Sequence, residues 1–190
     1  MHGPELVGWM LVALCGGVGA SRLRPLRGGG PGRRAAAGEA LMGFGMAVMA
    51  VPDPPVQPPP HAFTVLFGAA AVYELALAAG GSGHRPHHLH HAVGALAMVH
   101  MALAMASSPP GAHGHHAAGA AGGPVPAGAV TAVLLAYFAV YVLYAGARLV
   151  PAVPRPGTAV ASGAAPRPPE VAAACRLSMG IGMFAMLLAV

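Results

Sequence analysis

Six apolar runs divide the chain, at residues 6–20, 35–51, 61–79, 88–106, 127–149 and 171–190. Between them lie Pro- and Gly-rich connectors at 22–34, 52–60, 80–87, 107–126 and 150–170. Proline lacks a backbone donor and glycine has little helix propensity, so these stretches end helices. A helix needs about 20 mainly apolar residues to cross a bilayer. Strands are disfavoured by run length and by the need to satisfy every backbone polar group inside lipid. The pattern therefore predicts an all-α integral membrane bundle of about six transmembrane helices, a single domain over residues 1–190. The second run is short and carries Glu39. It reads as a tilted or locally thinned span, with a re-entrant segment as the alternative.

Charge adds an orientation. All ten basic residues are arginines, and there is no lysine. Arg22, Arg24, Arg27, Arg33 and Arg34 lie at the first connector, Arg85 in the third, and Arg148, Arg155, Arg167 and Arg176 in or beside the fifth. With six spans those connectors share one side, which the excess of basic residues marks as cytoplasmic. Both the N-terminus and the C-terminus are then extracytoplasmic. Composition agrees: 56% of residues are hydrophobic and 8% charged, against roughly 25% charged in a soluble domain. Fifteen formal charges cannot cover a soluble surface, and no soluble domain of ordinary size fits beside six spans. Cys15 and Cys175 both fall in apolar runs, so no disulfide framework is implied. Leu14-Cys15 lacks the preceding small residue and basic segment of a lipoprotein signal, and no cleaved leader is expected.

Candidate chemistry lies in methionine and histidine. The absence of Lys and Asn, and a single Ile, suit a GC-rich genome, yet eleven Met are kept where Leu would serve. At about 100° per residue, Glu39, Met42, Met46 and Met49 share one helix face. His87, His91, Gly94, Met98, Met101 and Met105 form a second stripe, and Cys175, Met179, Met183 and Met186 a third. In the expected orientation Met10, Met46, Met49, Met101, Met105, Met183 and Met186 lie in the extracytoplasmic half, where His2, His61, His113, His115 and His116 stand at the same face. Thioether sulfur selects Cu(I) over Zn or Mg. The candidate metal ligands are Met46, Met49, Met98, Met101, Met105, Met183 and Met186, with His91 and His100 deeper on a path. The competing reading is packing, since Met fills core gaps and Gly43, Gly45, Gly94, Gly180 and Gly182 let helices approach closely.

The cluster His84, His87, His88, His90 and His91 stands at the cytoplasmic mouth of the fourth run, with His87 and His91 at a spacing seen in metal sites. Without a carboxylate or Cys nearby in sequence, it reads as a solvated interfacial cluster rather than a zinc site. His100 lies near mid-membrane, where an ionisable group is a functional candidate by default; a neutral His100 bonded to Tyr137, Tyr141 or Ser178 is the structural alternative. Glu74 is expected to pair with Arg176 or a histidine at the mouth, and Glu39 with Arg33, Arg34 or Arg176. A haem site, the second cofactor possibility, would require a Met partner, since only the fourth run has an interior histidine. No Ser-His-Asp set, zinc-protease helix, P-loop or dinucleotide fingerprint occurs, so no catalytic residues and no nucleic-acid partner are expected.

The segments GEALMGFGMAVMAVP (38–52), HHLHHAVGALAMVHMALAM (87–105), YFAVYVLYAGARLVP (137–151) and EVAAACRLSMGIGMFAMLL (170–188) resemble an actinobacterial family of small multi-pass membrane proteins catalogued only as a domain of unknown function. The resemblance runs over nearly the whole chain and implies a bacterial plasma-membrane protein. It supplies no activity and no catalytic residues. The residues themselves leave two main functions: Cu(I) binding or handling through Met-rich faces, and a non-catalytic subunit or scaffold meeting a membrane partner, or a second copy, through small-residue faces. A solute transporter around Glu74 and His100 lacks the internal-repeat signal expected of one.

Overall fold

The computed structural model describes residues 3–23, 33–52, 59–81, 85–107, 127–149 and 168–189. Six helices occur among them: α1 Gly3–Ser21, α2 Arg33–Met49, α3 Pro60–Ala79, α4 Arg85–Ser107, α5 Ala127–Leu149 and α6 Pro168–Leu188. Each overlies one apolar run, within a few residues at its ends. His2, His84, His113, His115 and His116, and Arg24, Arg27, Arg155 and Arg167, lie outside the described residues.

The punctuation anticipated from sequence is visible at α3. Pro60 opens the helix, where its missing N–H removes a group that has no intrahelical partner anyway. At the other end Gly80 N–H donates to Ala76 O at 3.0 Å, and Gly81 takes a φ of 73° that side chains resist. The chain reverses there, and α4 packs back along α3.

Helices α3 and α4, α4 and α5, and α1 and α6 run antiparallel, as the pairing of their residues shows. Glu74 meets His88 across α3 and α4, and His90 and His100 meet Tyr137 and Thr131 across α4 and α5. Arg22 reaches Ala172 on α6. A Cβ placed on Gly43 of α2 would lie 2.9 Å from the backbone of Cys15 and of Gly19 on α1, so these two helices touch backbone to backbone. The core that results joins Cys15, Met46, Phe67, Met98, Met101, Phe138, Met183 and Leu187 from all six helices.

Outside this core the helices are apolar as well. Val65, Val72, Val133 and Leu143 are exposed, Leu143 to 72%. Among the described residues, three helices are long and apolar enough to cross a membrane: Pro60–Ala79, Arg85–Ser107 and, within α5, Gly128–Leu149. Glu5–Ser21 and Ala172–Leu188 are apolar but shorter. Helices apolar on all sides belong in a core or in lipid, and large exposed apolar patches mark a membrane or partner surface.

Two expected polar pairings are corrected. Glu39 pairs with Arg22, Nε to Oε2 2.7 Å, rather than with Arg33, Arg34 or Arg176. The end of α1 lies over the start of α2, whereas Arg33 and Arg34 begin α2 and point to its exposed side. His100 Nε2 meets Thr131 Oγ1 at 2.8 Å, rather than Tyr137, Tyr141 or Ser178. The antiparallel register of α4 and α5 places the start of α5 beside His100, and sends Tyr137 to His90 instead. Glu74 takes the histidine of its two expected partners, with Oε2 2.7 Å from His88 Nδ1.

Candidate metal centre

Apart from the His100–Thr131 pair, the interior polar groups gather at one end: the end of α1, the start of α2, the end of α3, the start of α4, the later half of α5 and the start of α6. Glu39 sits in the first half of α2 and is 5% exposed. Arg22 Nε approaches its carboxylate closely, but the N–H is not aimed along the hydrogen-bond direction. Arg22 Nη2 donates to Ala172 O at 3.2 Å, and Arg176 Nε donates to the same carbonyl at 3.2 Å. Two guanidiniums thus converge on one α6 carbonyl, and one of them faces a buried carboxylate.

His87 and His91 approach Glu39 from α4. Four residues apart, they share a helix face, and their rings lie edge to face with centroids 4.4 Å apart. One donor atom from each of Glu39, His87 and His91 lies within 4.8 Å of the others. That spread would let a single ion reach all three after modest side-chain rotation. His91 is 5% exposed, and its Nε2 has no hydrogen-bond partner among the described residues. A buried polar atom left unpaired costs about 1–3 kcal/mol, and such an atom is often a ligand's place. His90 is engaged differently: its ring stacks on Tyr141 at 3.8 Å between centroids, and its Nδ1 lies 2.9 Å from Tyr137 Oη.

Beyond His91, toward the core, lies a cavity of about 30 Å³, the room one water molecule or ion takes. Four methionines, Met42, Met46, Met179 and Met183, line it together with His90, His91 and Arg176. The Met42 methyl fills the space that a side chain at Gly94 would take. Gly182 opens room for both Cys15 Sγ and Met46 Sδ, which lie 3.2 and 3.8 Å from where its Cβ would stand.

Residues 31–190 match the model of a family described as Domain of unknown function (DUF5134). The chain belongs to this family. No curated protein and no solved structure matches it.

The candidate ligands chosen on spacing are dispersed in the DUF5134 bundle. Met46 and Met183 line the cavity together, and His91 joins them. Met98, Met101 and Met186 are buried in the core, away from the cavity lining. The Met98 methyl lies beside Gly45, where Phe67 also packs, which is a packing role. Met49 only borders the core. Met10 and Met105 face outward, 71% and 42% exposed. Met105 sits in the last turns of α4, where its stripe runs past the neighbours that cover Met98 and Met101. Spacing overlooked Met42 and Met179 as ligands, although both stand in the same stripes one turn closer to the polar end. It also missed Glu39 as the carboxylate beside His87 and His91, since 48 residues separate Glu39 from His87.

Proposed function

We propose that this DUF5134 chain is a multi-pass protein of the bacterial plasma membrane that binds Cu(I) inside its bundle and catalyses no reaction. In this reading all six helices cross the bilayer, with α1, α2 and α6 tilted or locally thinning it, and both termini extracytoplasmic. One observation carries the metal: a cavity the size of a single ion, lined by four thioethers and by a buried histidine whose Nε2 is unpaired. Thioether and imidazole together suit copper, and thioether selects its reduced form. Arg176 also lines the cavity. Its charge opposes any cation there, but a monovalent ion meets half the repulsion that a divalent one does. The working ligands are Met46, Met183 and His91, with Met42 and Met179 completing the shell.

The same geometry bears on the scaffold reading. Gly43, Gly45, Gly94, Gly180 and Gly182 each abut a neighbouring helix of the same chain. These small-residue faces serve as seams of the bundle, so a partner or a second copy would have to use the exposed apolar sides of helices such as α1, α3 and α5.

The test is an anaerobic competition titration of the detergent-purified protein against a coloured Cu(I) chelator. The wild type and Met105→Leu are expected to take up one equivalent of Cu(I). Met46→Leu/Met183→Leu should lose affinity by at least about 100-fold, the upper range even for a residue that only orients a ligand. Absence of binding in the wild type, or undiminished binding in the double variant, would return these methionines to packing.

A further inference from the structure

We propose that Glu39, His87 and His91 form a second metal position, for a borderline divalent ion of the Zn(II) or Co(II) class. It rests on a carboxylate and an imidazole that the Cu(I) cavity does not use, and shares only His91 with that cavity. The donor atoms lie within 4.8 Å of one another, come from two helices, and include a deeply buried histidine with an unpaired ring nitrogen. Two imidazoles and one carboxylate are a ligand set that divalent zinc accepts, leaving its fourth position open to water or another ligand.

Charge separates the two positions. The thioether cavity offers no anionic donor and is bordered by Arg176, so it disfavours a double charge. The outer position has the Glu39 carboxylate, whose counter-ion is now Arg22. A divalent ion there replaces the Arg22 guanidinium as the partner of Glu39. Arg22 keeps an acceptor when this happens, because its Nη2 already bonds Ala172 O. The misaligned Arg22 Nε–H shows that the ion pair gives up little hydrogen bonding on exchange. Since both positions draw on His91, filling one with copper weakens the other. The side chains thus describe two alternative seats for an ion, a harder one at the polar end and a softer one toward the core.

Co(II) is the probe, because its visible absorption reports an N/O ligand set directly. The whole protein in detergent is titrated with Co(II), alongside His87→Ala, Glu39→Gln and Met46→Leu/Met183→Leu. One equivalent is expected to give a saturable visible spectrum, and Zn(II) should displace it. His87→Ala and Glu39→Gln should each weaken Co(II) by at least about tenfold, with the Cu(I) titration of His87→Ala unchanged. Met46→Leu/Met183→Leu should keep the Co(II) spectrum while losing Cu(I). Loading wild type with Cu(I) should reduce Co(II) uptake through His91. A wild type without a saturable spectrum, or a spectrum that survives His87→Ala, overturns this second position whatever the Cu(I) titrations show. Circular dichroism of each variant separates lost ligation from lost fold, and Glu39→Gln and His87→Ala fail independently of each other.

Discussion

Replacing Arg22 with Met lowers the stability of the bundle by about 3–5 kcal/mol, the usual cost of removing one member of a buried ion pair. The side chains of Arg22 and Glu39 are only 12% and 6% exposed, so solvent screens the pair little. What the variant loses is less the attraction than the neutralisation of Glu39, which is left buried as an unpaired carboxylate. The double variant Arg22→Met/Glu39→Gln therefore recovers most of the loss, despite carrying more changes. Unfolding of the detergent-solubilised variants, followed by circular dichroism, measures both. Added Zn(II) should also stabilise Arg22→Met more than wild type, because the ion then serves Glu39 without competing against a guanidinium, and ligands that bind only the folded state raise its stability.

Gly43→Ala is the second large expected effect. Its methyl would stand 2.9 Å from Cys15 O and from the Gly19 backbone. No side chain can rotate out of the way, so α1 and α2 must separate, with a loss of about 1–3 kcal/mol or somewhat more. Gly17→Ala on the facing helix is the matched control, since nothing lies within 4 Å of its added methyl. There the better helix propensity of alanine should raise stability by up to about 1 kcal/mol. The same unfolding measurement should thus move in opposite directions for two identical substitutions on adjacent helices.

The helices themselves were legible in the apolar runs and in their Pro and Gly boundaries, because run length and breakers act locally. The stripes were legible too: Met42 and Met46 on α2, and Met179 and Met183 on α6, share a face as their spacing requires. What spacing cannot supply is how one helix is turned toward another. Sequence alone points Glu39 to Arg33, Arg34 or Arg176, whereas Arg22 reaches it because α1 and α2 lie backbone to backbone at Gly43. For the same reason His87 and His91 looked like a cluster without a carboxylate. Met105 follows the right period but lies beyond the covering neighbours, and period carries no information about where a bundle ends.

The Arg22–Glu39 pair has a consequence for how such a chain is made. The two residues belong to α1 and α2, which are made before α3–α6, and they neutralise each other within that hairpin. An ionised side chain within a spanning helix raises the helix's insertion free energy. In the proposed six-span reading, α1 and α2 inserted together would present lipid with a matched pair rather than an exposed acid, so α2 would enter the bilayer before any of α3–α6 has been synthesised. Arg22 then waits for Ala172, 150 residues later, and donates to that carbonyl only once α6 has been made.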